Sequence, residues 1–151
     1  MTDNKLSQIG PPRFAIAVHA LIWLAKSSKL QTSSILAEQV NSHATFLRRV
    51  LAQLADSGIV ETKEGRDGGY SLKIPAQKLT LADIYITVKP ECIRYGEEEV
   101  ECGKAGKQLD QLLEEILNKA EHETIKYLKA ITLEQVMDTI DFTDFEKSYT
   151  G

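Results

Sequence analysis

The chain has 151 residues, of which 42% are hydrophobic and 26% charged, and this balance excludes a disordered or fibrous protein. Its net charge of −4 hides a division: residues 1–80 carry ten Lys or Arg against six Asp or Glu, whereas residues 81–151 carry eight against sixteen. A basic front half and an acidic rear half would orient the protein on a negatively charged partner. No apolar run could span a bilayer and no secretory signal is apparent, so we expect a cytoplasmic protein with no membrane partner.

The first predicted helix follows Pro11-Pro12 and covers about residues 13–27. Almost every position in it is apolar, which predicts a central helix that is covered on more than one face. His19 lies within this helix, and no second metal ligand stands at helical spacing from it. We therefore expect His19 to be packed or hydrogen-bonded rather than to bind a metal.

Two shorter helices are predicted next, with a tight turn between them. Thr32 is a suitable N-cap for the first, Asn41 tolerates the left-handed backbone that ends a helix, and Ser42 can cap the second. This spacing is typical of a helix-turn-helix, a motif that many all-α proteins share with DNA-binding proteins.

The second of these helices, which ends at Gly58, has an apolar face and a polar face. Placed at about 100° per residue, its apolar side chains form one stripe: Phe46, Leu47, Val50, Leu51 and Leu54. Thr45, Arg48 and Arg49 project from the other side, where guanidinium groups could reach phosphates or guanine edges. The main hypothesis is that this helix enters a DNA major groove.

A β-hairpin is predicted directly after this helix. Residues 59–62 are extended, residues 65–69 contain three glycines that suit a hairpin loop, and residues 70–74 alternate apolar with polar side chains. A two-stranded ribbon is marginal alone, so its apolar face should lie on the helices. Lys63 and Arg66 would then sit near the free tip, in reach of phosphate or the minor groove. A helix-turn-helix followed by such a hairpin is the winged-helix arrangement.

These residues also carry a family resemblance. The run L-R-R-V-L-A-Q-L-A-D-S-G-I-V-E-T-K-E-G-R-D-G-G-Y-S-L, followed by T-L-A-D-I-Y-I-T-V, resembles the Rrf-two family of bacterial winged-helix regulators, which includes the iron-sulfur cluster regulator and the nitric-oxide-sensing repressor. The resemblance covers about residues 13–133 and implies a DNA-binding homodimer that represses or activates transcription. The positions that match the family's base-reading sites are His43, Thr45, Phe46 and Arg48.

The wing departs from the family pattern at one position. Many members place a basic residue immediately before the first glycine of the wing, where this chain has Glu64. Either Arg66, two residues later, takes over the contact with DNA, or the wing binds weakly. We favour the first alternative, because Glu64 can face solvent at little cost.

Beyond a helix that Thr80 caps and Pro90 ends lies an acidic loop with the two cysteines of the chain, Cys92 and Cys102. Cluster-binding relatives supply three cysteines and a further ligand here, and a cluster needs about four ligands. We therefore expect no iron-sulfur cluster within one chain, and no other cofactor or metal. Three interpretations of the cysteines stay open, in this order: two reduced thiols, a reversible thiol switch, and metal binding. If the second is right, Cys92 and Cys102 are both redox-active residues.

Residues 105–130 predict an amphipathic helix about 40 Å long, more than so small a domain can cover. Part of its apolar stripe should pack on the same helix of a second subunit, although a helix lying across its own domain is an alternative. The residues assigned to the dimer contact are Leu109, Leu112, Leu113, Ile116, Leu117 and Ala120. A last amphipathic segment, residues 133–140, is expected to fold back on this long helix.

The predicted fold is mainly α with a small β-hairpin. A winged helix-turn-helix DNA-binding domain would cover residues 1–88, a cysteine-containing loop 89–104, a dimerisation helix and C-terminal helix 105–140, and a tail 141–151. The predicted function is a sequence-specific transcriptional regulator, a homodimeric repressor whose partner is double-stranded DNA with a roughly palindromic site, and whether it responds to a signal or to redox state stays open. Ser33 or Ser34 would bind phosphate at a helix start. The sequence names no effector.

Two other function classes were weighed against this one. A winged-helix module that binds a protein partner without specific DNA binding is the alternative, since the fold does not fix the function. An enzyme is not expected, because no Ser-His-Asp order, metal-ligand spacing or phosphate-binding loop is present in the sequence.

Overall fold

The structure, a computed structural model, describes residues 11–27, 29–40, 44–89 and 103–143. These residues form, in chain order, the following elements: α1 (Phe14–Lys26), α2 (Ser33–Val40), α3 (Ala44–Asp56), β1 (Val60–Lys63), β2 (Gly69–Leu72), α4 (Leu81–Val88), α5 (Gly103–Lys129) and α6 (Leu133–Thr139). The mainly helical fold with a single small hairpin and a long helix near the C-terminus is confirmed.

The core is built around α1, which packs against α2, α3, α4, β2 and α6. Ile16 and Leu21 in the middle of α1 are fully buried, and buried side chains occupy more than one face of the helix. The apolar sequence of this segment thus correctly predicted its central place. Each neighbouring helix contributes one apolar stripe, which is the expected way for a small helical domain to remove hydrophobic surface from water.

His19 is the exception on α1. Its side chain is exposed rather than packed within the core, and partial burial of the ring lowers its pKa below the usual 6.5. Of the two alternatives, packed or hydrogen-bonded, the first was wrong, because His19 is exposed to solvent. Among the described residues, no group of three or more His, Cys, Asp or Glu side chains is placed to hold a metal.

The helix-turn-helix begins as its caps predicted. The hydroxyl of Thr32 accepts a hydrogen bond from the backbone N–H of Ile35 at 3.2 Å, one turn into α2. The connection between α2 and α3, residues 41–43, lies outside the described residues. After α3, Gly58 has φ +82°, and this left-handed turn lets the N–H of Ile59 reach the carbonyl of Leu54 at 2.9 Å.

β1 and β2 form an antiparallel hairpin that runs in register from Val60 opposite Leu72 to Lys63 opposite Gly69. The hairpin also pairs with the segment just before α2. Gln31 and Tyr70 exchange two backbone hydrogen bonds, N–H of Gln31 to Tyr70 at 3.1 Å and N–H of Tyr70 to Gln31 at 2.8 Å. The wing is therefore tied to the start of the helix-turn-helix.

The C-terminal helix α6 packs mainly on this core rather than back on α5. Leu133 at its start is fully buried, and its N–H donates to the carbonyl of Leu79 at 2.8 Å. The residues before α4 and α6 also pair, through a bridge between Thr80 and Thr132, each of which opens a capping box. The amphipathic pattern predicted the helix correctly but assigned it the wrong partner.

α5 is 27 residues long, and none of its side chains is fully buried. The C-terminal part of α5 packs on α4. There the ammonium of Lys89 lies 3.2 Å from a carboxylate oxygen of Glu121, and Leu128 packs against the core. The helix begins two residues earlier than the sequence predicted and ends one residue earlier. In the part of the chain that the structure describes, no helix is both long and apolar enough to cross a membrane.

Candidate nucleic-acid interface

The exposed face of α3 carries the polar residues that the sequence pattern placed there. Leu47, Val50, Leu51 and Leu54 are all buried with no exposed surface. On the opposite face, Thr45, Arg48, Arg49 and Ala52 are exposed. Because the side chains beside the two guanidinium groups are small, the backbone of α3 can come close to a polyanion on this face.

A hydrogen bond joins this face to the start of the preceding helix. Nε of Arg48 donates to the hydroxyl oxygen of Ser33 at 3.2 Å. Ser33 is half-buried, while its neighbour Ser34 is exposed at the same helix end. Two of the predicted contact residues, fifteen positions apart in sequence, thus form one continuous polar surface.

The electrostatics of the two helix starts favour an anion. Neither α2 nor α3 has an acidic residue in its first turn. The backbone N–H groups of a helix start carry a partial positive charge, and no carboxylate in these turns offsets it. A phosphate oxygen near Ser33 or Ser34 would meet N–H groups, hydroxyls and the Arg48 side chain together.

Phe46 lies between the core and the exposed face of α3. Its ring is half-buried and packs against the core, and the guanidinium of Arg13 stands 6.0 Å from the ring centroid. Nη1 of Arg13 also donates to Oε1 of Gln53 at 3.0 Å. Arg13 therefore fixes α3 against the start of α1. Sequence reasoning missed this residue, because a single arginine at a helix start carries no periodic signal.

The wing presents Lys63, Glu64 and Arg66, which are all exposed at its tip. Gly65 has φ +106°, a conformation that disfavours a side chain, and its carbonyl accepts from the N–H of Gly68 at 3.1 Å to close the turn. Lys63, Glu64 and Arg66 are thus all open to solvent, and Glu64 remains beside the two basic residues.

The orientation of the wing depends on Gln31, which the sequence analysis did not identify. Its side-chain amide donates to the hydroxyl of Ser27 at 2.6 Å and to the carbonyl of Lys29 at 3.4 Å, and its backbone pairs with Tyr70. A Cβ on Gly69 would lie only 2.8 Å from the carbonyl oxygen of Gln31, so glycine is required for this close approach. A single bridge residue leaves no alternating pattern by which sequence could reveal it.

Three predicted site residues lie outside the described residues: His43, Cys92 and Cys102. The six residues assigned to the dimer contact all lie on α5 and are exposed, with the five larger ones between 46% and 66% exposed: Leu109, Leu112, Leu113, Ile116, Leu117 and Ala120.

Comparisons with known proteins agree with this geometry. A family model described as "Rrf2: Iron-dependent Transcriptional regulator" matches residues 12–139. One similar relative is "Putative HTH-type transcriptional regulator NMA1593" of Neisseria meningitidis, which is 28% identical over 83% of this chain and 84% of that protein. Another is "Putative HTH-type transcriptional regulator YwnA" of Bacillus subtilis, which is 26% identical over 83% of this chain and 95% of that protein. A solved structure titled "Crystal structure of a putative DNA binding protein" superposes with a TM-score of 0.66 at 26% identity, covering 83% of this chain and 98% of that one.

The matching family is described as iron-dependent, so the ligands that this chain offers were compared with those of an iron-sulfur cluster. A cluster bound by one chain takes about four thiolate or imidazole ligands. The sequence contains two cysteines, and two of its three histidines lie on α1 and α5, in separate elements. This donor set does not fit a cluster held by four cysteines of one chain.

Proposed function

Because the chain belongs to the Rrf2 family, the family that its sequence resembles, and is a DNA-binding transcriptional regulator of the helix-turn-helix class, we propose that it acts as a homodimeric repressor. In this proposal α3 enters the major groove of each half-site of a roughly palindromic operator, and the bound dimer occludes the promoter.

The hydrogen bond between Arg48 and Ser33 is the observation that carries the proposal. A residue that reads a base edge must be positioned by phosphate contacts that fix its register on the duplex. Ser33 and Ser34 supply hydroxyls and backbone N–H groups at a helix start, and Ser33 is hydrogen-bonded to Arg48 of α3. In this proposal base-reading and phosphate-binding groups therefore belong to one surface.

The remaining basic residues support the same assignment. Arg49 is exposed beside Arg48 on α3, and Lys63 and Arg66 are exposed on the wing. In the proposal these three bind phosphates or the minor groove and carry little sequence information. His43 and Phe46 are proposed as further base contacts, Phe46 through the part of its ring that the core leaves uncovered.

The exposed stripe on α5 supports a dimer. Five large apolar residues on one helix face keep about half of their surface exposed, and a helix that leaves such a stripe uncovered is suited to pack on its twofold mate. Two copies of α3 would then face one DNA duplex at a spacing set by α5. The proposed activity is binding, not catalysis, in the cytoplasm; a response to oxidation of Cys92 and Cys102 is a separate proposal.

Arginine variants on purified protein test this proposal. With operator fragments selected from a random pool, Arg48→Ala should cost about 1–3 kcal/mol and relax base preference, whereas Arg66→Ala should weaken all sequences alike and reduce the salt slope by about 1. Arg48→Lys keeps the charge but loses the two-pronged guanidinium contact, so it should relax base preference without a comparable change in salt slope.

Lys126→Ala is the matched control, because Lys126 is an exposed basic residue on α5, away from the proposed surface. Its operator affinity should equal that of the unmodified protein. Unchanged binding by both Arg48→Ala and Arg66→Ala at moderate salt would refute the assigned surface.

A further inference from the structure

A cleft of about 570 Å³ opens on the side of the domain behind the wing. Its walls come from the end of α1, from β2, from the turn at residues 75–77 and from α6. This volume lies within the range of sites that bind small organic molecules. The cleft is separate from the exposed face of α3, so the proposed DNA contact does not account for it.

The walls of the cleft are fixed by backbone hydrogen bonds. The N–H of Glu134 in α6 donates to the carbonyl of Ala76 at 3.2 Å, and the N–H of Ser27 donates to the carbonyl of Trp23 at the end of α1. Leu24, Leu72 and Met137 supply apolar surface between these walls. The lining of the cleft thus combines apolar side chains with polar and charged ones.

Opposite charges line the two sides of the cleft. Lys26 and Lys29 stand on the α1 side, and Glu134 and Asp138 stand on the α6 side. Among the described residues, these four side chains form no ion pair with one another within 4.0 Å. Glu134 and Asp138 are also four residues apart on one helix, a spacing at which like charges repel. A cation placed between them would relieve that repulsion.

Lys26 is held at the rim by an aromatic ring. Its ammonium lies 4.4 Å from the ring centroid of Phe142, which follows α6. The contact restricts the lysine side chain, so an anionic group at this end of the cleft would meet a positioned charge.

From this arrangement we propose that the cleft binds a small zwitterion of amino-acid or dipeptide size. The ammonium group of the ligand lies between Glu134 and Asp138, its carboxylate faces Lys26 and Lys29, and its side chain rests on the apolar base. Because both charged ends are recognised, a ligand with one end neutralised should bind poorly.

The cleft is connected to the proposed DNA interface through Gln31. Ser27 lines the cleft and accepts a hydrogen bond from the side chain of Gln31, whose backbone pairs with Tyr70 in β2. Ser71, the next residue of β2, lines the cleft directly. A ligand that shifts Ser27 or Ser71 would therefore alter the wing, and we infer that the zwitterion is an effector of DNA binding.

Calorimetry on the purified, DNA-free protein tests the site without relying on the proposed function. The probes are the common L-amino acids and a set of aliphatic dipeptides, each compared with its N-acetyl and carboxamide derivatives. At least one zwitterion should bind, and both derivatives should bind at least about tenfold more weakly, the loss expected for a removed charge-assisted contact.

Charge-removing variants locate the binding. Lys29→Gln, which leaves the contact between Lys26 and Phe142 intact, and the double variant Glu134→Gln/Asp138→Asn should each weaken the zwitterion at least about tenfold. Lys126→Gln on α5 is the control and should bind as the unmodified protein does. Failure of every probe to bind, or equal binding by the double variant, would overturn the site. Binding that leaves operator affinity unchanged would overturn the effector role alone.

Discussion

Replacing Ile116 with aspartate should convert the proposed dimer to a monomer. Ile116 lies near the middle of the apolar stripe on α5 and is 51% exposed. Nothing in the described part of the same chain covers this half of the side chain, so the substitution should leave the folded subunit intact. Its effect should fall on the contact between subunits.

The size of the effect follows from the exposed surface and the symmetry. Full burial of an isoleucine side chain is worth about 1.5–3 kcal/mol, so covering the exposed half of Ile116 contributes about 1 kcal/mol in each subunit. A twofold contact doubles this to about 2 kcal/mol. Each aspartate would in addition be desolvated in the contact, which costs on the order of several kcal/mol in total. A loss of about 6 kcal/mol raises the dissociation constant by about four powers of ten.

Sedimentation equilibrium over a range of protein concentrations measures this change directly. Asn118→Asp is the matched control: it places the same charge on the same helix, about 200° around the axis from Ile116 and therefore on the opposite face. The control should sediment as the unmodified dimer, while Ile116→Asp sediments as a monomer with the same helical circular dichroism. The Ile116→Asp protein should also bind a single half-site but lose most of its affinity for the full operator.

Two results would refute this reasoning. An Ile116→Asp protein that stays dimeric would show that the exposed stripe is not the subunit contact. An unmodified protein that is monomeric at micromolar concentration would reject the homodimer itself, and the α5 stripe would then need another partner.

Three further predictions concern the wing, the C-terminal helix and pH. Gly69→Ala should lower the free energy of unfolding, measured in urea, by about 1–3 kcal/mol more than Gly65→Ala. Both glycines have positive φ, but only a Cβ at Gly69 would meet the Gln31 backbone. Equal losses for the two variants would contradict this. Thr132→Ala should cost about 1 kcal/mol in the same assay through loss of the α6 cap. Partial burial lowers the pKa of His19 below 6.5, so near that pH the folded chain binds fewer protons than the unfolded chain does. The free energy of unfolding should therefore fall as pH drops through about 6.5, and His19→Asn should make it depend less on pH.

The sequence predicted those parts of the fold that depend on local periodicity and capping. Leu47, Val50 and Leu51 recur at helical spacing, and the structure buries each of them completely. The same spacing places Thr45 and Arg48 on the exposed side, so the candidate DNA-binding face follows from the pattern that builds the core. The caps at Thr32 and Thr80 were equally readable, because a hydroxyl before an apolar run leaves a local signature.

Contacts between distant segments were not predictable in this way. The pattern of residues 133–140 shows that a helix buries one face, but periodicity carries no information on which surface receives it. Leu133 enters the core of the winged helix because the preceding residue, Thr132, pairs with Thr80, fifty-two positions earlier in the sequence. The bridge of Gln31 to Tyr70 was missed for the same reason, since one extended residue is too short for alternation to appear.

Gln31 connects the three parts of the molecule that the proposals involve. Its backbone fixes β2, its side chain holds Ser27 at the edge of the cleft, and the next residue, Thr32, caps α2. A movement of this residue should be passed to the wing and to the start of α2 together, because its backbone is hydrogen-bonded to Tyr70 in β2 and the next residue caps α2. The affinity of the phosphate-binding groups near Ser33 should therefore depend on the state of the cleft, although no cleft residue needs to touch DNA. In this proposal a separate loop that connects effector to operator is not required, since the extended backbone at Gln31 would supply that connection.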